Sequence, residues 1–257
     1  MSFGARESDW RQALYAGRFE DAHKLYLMAD APDPEVRRAL SALADIVEFV
    51  REKSWPRASR RLQRLEEKPP LVDWTALEAE LDRLAESSRS LDRMEPEEAM
   101  ALLEGEAVAW FPAEAANLQG TARIYSGDPE AARQDFRRAV ELDPRHYRAL
   151  TNLGNAALEA GEVDEAIACY ERALAVNDDF ANAHHNLGVA YRRKGQVGRS
   201  VRQLRRAQRV QQRSERERAR EGLGEGPGKG GLKILRWVLY ALVALTLVAI
   251  LRGRGFL

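Results

Sequence analysis

Residues 150–174 read LTNLGNAALEAGEVDEAIACYERAL, and this stretch recurs with variation both upstream and downstream in the chain. Its first glycine, Gly154, has counterparts 34 residues away on either side, at Gly120 and Gly188. Each of the three is followed after seven residues by a second glycine, at Gly127, Gly161 and Gly195. A fixed period of this length is typical of a unit made of two helices joined by a turn. The sequence therefore predicts an all-α solenoid whose units bury their apolar faces against one another.

The side chains that follow the second glycine also recur, and they indicate how the two helices of a unit pack. Each second helix carries a small residue, a large one four positions later, and another small one after three more. These positions hold Ala132, Phe136 and Ala139, then Ala166, Tyr170 and Ala173, then Ser200, Leu204 and Ala207. Such spacing places all three side chains on one helical face. We expect the first glycines to let the helices approach closely, and the second glycines to end the first helix in a left-handed conformation.

The pattern resembles the tetratricopeptide repeat (TPR) family over residues 113–214. The residues that carry the resemblance are Leu150, Leu153, Gly154, Ala166, Tyr170 and Ala173. The third unit departs from the family, because Ser200 and Leu204 replace the usual alanine and aromatic residue. A terminal unit of such an array is expected to be atypical. The resemblance implies three TPR units within residues 111–221, with an extended last helix, and a surface that binds a protein or peptide partner.

Residues 1–110 carry a fainter version of the same pattern. The corresponding positions are filled by Trp10, Gly17, Ala22, Tyr26, Ala29 and Pro34, with Trp10 where the first glycine would stand. Further apolar stripes follow with slipped spacing, and Pro96 is predicted to open a short helix that runs through Leu103. We interpret this region as degenerate repeats of the same solenoid. A separate helical bundle is the alternative.

In TPR proteins the first helix of each unit lines the concave surface, so the resemblance implies which side chains face a partner. They are Asn117, Thr121, Arg148, Asn152, Asn155, Asn182, His185, Asn186, Arg192 and Arg193. Amides can hydrogen-bond a peptide backbone as donor and acceptor, and arginines favour an acidic segment or a terminal carboxylate. TPR domains that clamp chaperone C-termini carry lysines where this chain has Thr151 and Asn182, so the resemblance to that subclass is partial. Alternatively, the asparagines bond neighbouring helices.

Residue types that support catalysis are few and scattered, which predicts a protein that is not an enzyme and needs no cofactor or metal. Cys169 is the single cysteine, so no intrachain disulfide can form. It stands on a repeat helix and is expected to be a small core residue rather than a nucleophile. His184 and His185 are adjacent, so they face different ways and lack the spacing of a metal-binding pair. His23 and His146 show no evident partner.

The C-terminal sequence predicts a linker and a membrane anchor. Residues 222–231 contain six glycines and a proline, which is typical of a flexible linker. Residues 237–251 carry no charge, and the 20 residues 232–251 are long enough to cross a bilayer core as a helix. Five Arg or Lys residues precede the uncharged run 237–251, at 218, 220, 229, 233 and 236, and the last two lie inside the N-terminal end of the 20-residue window; the short basic tail 252–257 carries two. This bias predicts a single-pass, tail-anchored protein with its repeats on the cytoplasmic side, and we favour the bacterial inner membrane.

The distribution of charge along the chain indicates which classes of partner to expect. Forty basic and forty acidic residues cancel, so no nucleic acid partner is expected. Before the linker, Arg202, Arg206, Arg209, Arg213 and Arg216 form a basic stripe. Two interpretations stay open for it: a solvated helix with Glu–Arg pairs, or contact with anionic lipid headgroups.

The predicted function is a membrane-tethered adaptor or scaffold that binds its partner through the concave repeat surface, with the lipid bilayer engaged by residues 232–251. The alternative is a structural assembly subunit of a membrane or envelope complex, whose transmembrane helix packs against partners.

Overall fold

The computed structural model describes residues 3–28, 33–104 and 110–224, with only the backbone described at 3–8, 218 and 220–224. The described ranges contain helices and connecting turns without a strand, which confirms the all-α prediction. The helices are α1 (Phe3–Tyr15), α2 (Phe19–Leu27), α3 (Pro34–Arg51), α4 (Trp55–Gln63), α5 (Trp74–Asp92), α6 (Pro96–Leu103), α7 (Pro112–Tyr125), α8 (Pro129–Leu142), α9 (Tyr147–Glu159), α10 (Val163–Val176), α11 (Ala181–Arg193) and α12 (Val197–Gly224). The described residues up to Ala207 form one compact unit, and those from Gln208 onward form a second.

The C-terminal predictions fall largely outside the described residues. The predicted transmembrane helix 232–251 and tail 252–257 lie there, as do residues 225–231 of the predicted linker. The first three residues of that linker differ from the prediction, because α12 continues through Gly224. Among the helices of the described ranges, none has the length and apolar character needed to cross a membrane.

The helices pair into hairpins that share one kind of turn. In each turn one residue adopts a positive φ: Gly17, Lys53, Met94, Gly127, Gly161 and Gly195. The N–H of Gly127 donates to the carbonyl oxygen of Ile124, and the N–H of Asp128 donates to that of Arg123. The same pair of hydrogen bonds recurs in the other turns, and it is the pattern that closes a helix at a left-handed residue. The N-terminal third is therefore built from hairpins of the same design as the TPR units.

Close packing within each TPR unit depends on its first glycine. A Cβ atom at Gly154 would lie 2.7 Å from Cε1 of Tyr170, and one at Gly120 would lie 2.6 Å from Cε1 of Phe136. Because these distances are far below van der Waals contact, the aromatic ring of the second helix occupies the space that a side chain would take. The predicted close approach of the helices is confirmed.

The N-terminal hairpins share their hydrophobic core with the first TPR unit. Buried apolar side chains run continuously from Trp10 in α1 to Ala122 in α7. At the start of α7, the backbone N–H groups of Trp110 and Phe111 donate to the buried carboxylate of Glu80 in α5, with the Phe111 bond at 2.7 Å. A shared core favours a continuous stack of repeats over a separate N-terminal bundle.

Candidate partner-binding groove

The first helices of the second and third TPR units, α9 and α11, contact each other and enclose a groove of about 270 Å³. Residues spaced three and four positions apart project from one face of each helix. We call this cleft the α9–α11 groove. It is lined by Arg148, Thr151, Asn152, Asn155, Phe180, Asn182, His185 and Asn186.

The structure brings together most of the residues predicted for the concave surface. Arg148, Asn152, Asn155, Asn182, His185 and Asn186 all line the α9–α11 groove. The remaining predicted residues lie outside its lining, and three of them have structural roles. Asn117 is fully buried, and Thr121 donates its hydroxyl to the carbonyl oxygen of Asn117. Arg193 donates to the carbonyl oxygen of Leu158 near the C-terminus of α9, and Arg192 is exposed.

Asparagine side chains link neighbouring first helices, as one of the two sequence interpretations proposed. Asn152 donates through Nδ2 to Oδ1 of Asn117 at 2.9 Å, and Asn186 donates to Oδ1 of Asn155 at 2.7 Å. The hydroxyl of Tyr170 also donates to Oδ1 of Asn155. Each primary amide has two donor hydrogens and one acceptor oxygen, so Asn152 and Asn186 each keep one N–H and the oxygen for a further bond. The same side chains can therefore brace the helices and contact a partner.

A buried ion-pair cluster lies behind the groove, centred on Glu114 near the start of α7. The Nε2 atom of His146 lies 2.7 Å from Oε2 of Glu114, and both side chains are almost fully buried. The Nδ1 atom of His146 accepts the backbone N–H of Ala149 at the start of α9. Because Nδ1 is an acceptor, the proton of the neutral ring resides on Nε2, which donates to Glu114. One histidine thus caps α9 and ties it to α7.

The charge of Arg148 is already partly compensated within the protein. Its Nη1 atom lies 3.8 Å from Oε1 of Glu114. Burial by itself raises the pKa of Glu114, but the hydrogen bond from His146 and the positive charges of Arg148 and Lys53 together hold that pKa below its ordinary value. An anionic group in the groove must share Arg148 with this ionised carboxylate.

Sequence reasoning missed the Glu114–His146 pair and described His146 as having no evident partner. The two residues are 32 positions apart, which is close to the repeat period. Residues separated by about one period lie on equivalent parts of adjacent repeats and can meet across the interface. A search for complementary polar residues at that separation could have found the pair.

The other candidate reactive residues have packing roles. Cys169 is buried, and burial and the nearby charge of Glu165 raise the pKa of its thiol, which disfavours the nucleophilic thiolate. His184 is buried, with Nδ1 2.7 Å from Gln203 and Nε2 2.9 Å from the carbonyl oxygen of Asp178. Within the described parts of the chain, no group of three His, Cys, Asp or Glu side chains is placed to hold a metal ion.

Comparison with known proteins identifies the class. Residues 117–182 and 151–214 match the family model described as tetratricopeptide repeat. Residues 117–214 of the chain are therefore tetratricopeptide repeats. This is the family that the sequence pattern of residues 113–214 resembles.

Several solved structures are similar to this chain. A crystal structure of MamA is 22% identical, with a TM-score of 0.45, and the match covers 66% of this chain and 95% of MamA. A MamA structure from Desulfovibrio magneticus RS-1, covering residues 41 to the end, is 25% identical with a TM-score of 0.42, over 51% of this chain and 75% of that one. A comparison with curated proteins gave no match.

Proposed function

We propose that this protein is a membrane-tethered adaptor that binds a protein or peptide partner in the α9–α11 groove. Tetratricopeptide repeats form protein-interaction scaffolds, and the family match supports that class of function. The observation that carries the proposal is the convergence of six polar side chains, predicted for the concave surface, on one groove between two consecutive repeats.

The lining of the groove favours a partner with an extended, acidic segment. Arg148 and His185 line it, and none of its eight lining residues is acidic. The remaining N–H and the amide oxygen of Asn152 and of Asn186 suit a peptide backbone, which offers donors and acceptors whatever its side chains. An acidic side chain or terminal carboxylate would then compete with Glu114 for Arg148.

The tether is the second part of the proposal, and its support comes from the sequence alone. Residues 232–251, which contain the uncharged run 237–251, have the length of a bilayer-crossing helix. The larger number of basic residues before it favours repeats on the cytoplasmic side of the membrane, with the bacterial inner membrane as the proposed location.

Site-specific photo-crosslinking of the full-length chain in its own membranes tests the groove. A photoreactive residue replaces His185, which is exposed in the groove, or Arg172, which is exposed on α10 outside it. The proposal predicts a partner adduct at position 185 and none of the same mass at position 172. Identical adducts at both positions would argue that the groove is not the binding surface.

Fractionation tests the tether. The full-length chain should stay with membranes after alkaline carbonate extraction, whereas a chain that ends at Gly224 should be released. Exchange of residues 232–251 for an unrelated apolar helix separates the adaptor from the assembly subunit. An adaptor keeps its adduct at position 185, whereas a subunit that packs through its span loses its complex.

A further inference from the structure

The C-terminal part of the repeat array carries a strong local charge. The 35 residues 180–214 contain nine Arg or Lys residues and no Asp or Glu, although the whole chain has a net charge of zero. These basic residues are Arg192, Arg193, Lys194, Arg199, Arg202, Arg205, Arg206, Arg209 and Arg213. Such asymmetry within a neutral chain points to an electrostatic partner for this surface.

Part of this charge is neutralised inside the protein. Lys194 pairs with Asp164, and Arg206 pairs with Asp178 at 2.6 Å. By contrast, in the part of α12 up to Ala207 three arginines are exposed and form no ion pair with any part of the chain that the structure describes. We call these three the α12 basic face: Arg199, Arg202 and Arg205.

Exposed aliphatic side chains lie on the side of α12 that carries Arg205, at one edge of the α12 basic face. Val197 is 64% exposed and Val201 is 40% exposed, and their spacing of four residues puts them on the same side of the helix. Another side of α12 carries Ser200 and Ala207, which are buried. A helix that presents arginines next to exposed aliphatic residues has the character of one that lies in a lipid headgroup region.

We propose that the α12 basic face binds the anionic headgroups of a phospholipid bilayer and holds α12 at the membrane surface. Phosphate oxygens are good acceptors for exposed guanidinium groups. The two valines favour a bilayer over nucleic acid or an acidic protein, since acyl chains give them an apolar environment. One further argument rests on the proposed tether. The seven residues 225–231 can separate Gly224 from residue 232 by at most about 25–30 Å, so the predicted span would keep α12 close to the bilayer.

The number of arginines removed sets the expected loss of membrane docking by α12. A basic residue near an anionic leaflet changes the binding equilibrium by about 5-fold, so the loss of three lowers the equilibrium constant for docking about 100-fold. Added salt should weaken docking as well, because the Debye length shortens from about 10 Å at 0.1 M to about 3 Å at 1 M.

An environment-sensitive dye on α12 of the full-length chain provides the test. Gly198 is exposed in α12 between Val197 and Arg199, and a Cβ atom there meets nothing within 4 Å, so Gly198→Cys can carry the dye without disturbing the fold. Cys169→Ala removes the native thiol, and Gln134→Cys on α8 gives a reference label. The protein is reconstituted into phosphatidylcholine vesicles, with or without about 30 mol% phosphatidylglycerol.

The emission from position 198 should shift to shorter wavelength only in the anionic vesicles, and position 134 should show no such shift. R199Q/R202Q/R205Q should abolish the shift. R137Q/R138Q/R172Q removes the same charge from exposed positions on α8 and α10 and should leave it intact.

The outcomes distinguish a failure of lipid binding by the α12 basic face from a failure of the proposed membrane tether. If the chain floats with neutral vesicles but position 198 does not respond to lipid charge, the inference is wrong and the tether stands. If the chain floats only with anionic vesicles and needs the three arginines, the inference stands and the tether is wrong. A shift of equal size with duplex DNA or polyglutamate in place of vesicles would overturn the assignment to lipid.

Discussion

Arg51 at the end of α3 donates through Nε to Oδ2 of Asp143 at 2.7 Å, although the two residues are 92 positions apart. The Arg51 side chain is only 6% exposed, and it also bonds Glu20 and Glu48. In a simple solenoid each repeat contacts only its neighbours. This bond instead joins the N-terminal repeats directly to the turn between α8 and α9, which connects two TPR units. The α5–α6 hairpin lies between the two residues in the chain. We expect the two regions to unfold together.

Arg51→Gln should therefore cost much more than the loss of an exposed ion pair. It leaves Asp143 without its buried cation and Glu20 with Arg145 alone, and because both carboxylates are about 20% exposed we expect a cost near the lower end of the roughly 3–5 kcal/mol seen for buried pairs. Arg57→Gln, which removes an exposed pair with Glu52, should cost less than about 1 kcal/mol. Denaturant unfolding of the full-length chain measures both free energies. Equal losses in the two variants would show that Arg51 does not couple the regions.

Met94→Gly should stabilise the protein by about 1 kcal/mol. Met94 has a φ of 63° and is 65% exposed, so glycine relieves backbone strain without loss of core packing. Gly161→Ala is the converse control, because Gly161 has a φ of 83° and a Cβ atom there meets no neighbour within 4 Å. It should destabilise by a similar amount. Thermal unfolding should move the two midpoints in opposite directions, and a shared direction would refute the strain argument.

Gly154→Ala should destabilise by about 1–3 kcal/mol, the usual cost of overpacking. The added methyl group would press on the ring of Tyr170, which cannot swing away without giving up its hydrogen bond to Asn155. Gly198→Ala adds the same methyl group to an exposed helical position and should be neutral or slightly stabilising. Chemical denaturation of both variants checks this. Similar midpoints would mean that the helices do not need glycine at 154.

Stability should decline in acid partly through Glu114. Its folded-state pKa is lowered, so the ionised form stabilises the fold fully above the ordinary pKa of 4.5, and this contribution is lost as the pH falls below that value. Glu114→Gln removes it, so the difference in unfolding free energy between wild type and variant should shrink below pH 4.5. A difference that stays constant from neutral to acid pH would contradict the lowered pKa.

The sequence predicted the TPR units well because their glycines have local physical causes. Gly127 must adopt a positive φ, and Gly154 must leave room for the ring of Tyr170. Because each repeat has the same two requirements, glycines recur at both positions with a fixed spacing. The turns at Lys53 and Met94 use the same conformation without glycine. They carry no comparable signal, and the N-terminal hairpins could be placed only approximately.

The candidate groove was predicted less completely. The helical period placed Asn152 and Asn186 on the right face, since equivalent positions recur after 34 residues. It could not show that Arg148 has an internal partner, because the contact with Glu114 depends on how α7 packs against α9. Charge complementarity between repeats can be recognised only when the packing of their helices is known.

The central claim is that the α9–α11 groove binds the partner, and its most direct test is an affinity measurement. The segment crosslinked at position 185 is synthesised as a peptide, and its Kd is measured by titration against the full-length chain. N182A/H185A should raise the Kd about 10-fold or more, since both side chains are exposed and line the groove. R172A on α10 should leave it unchanged. An unchanged Kd in N182A/H185A would contradict the account.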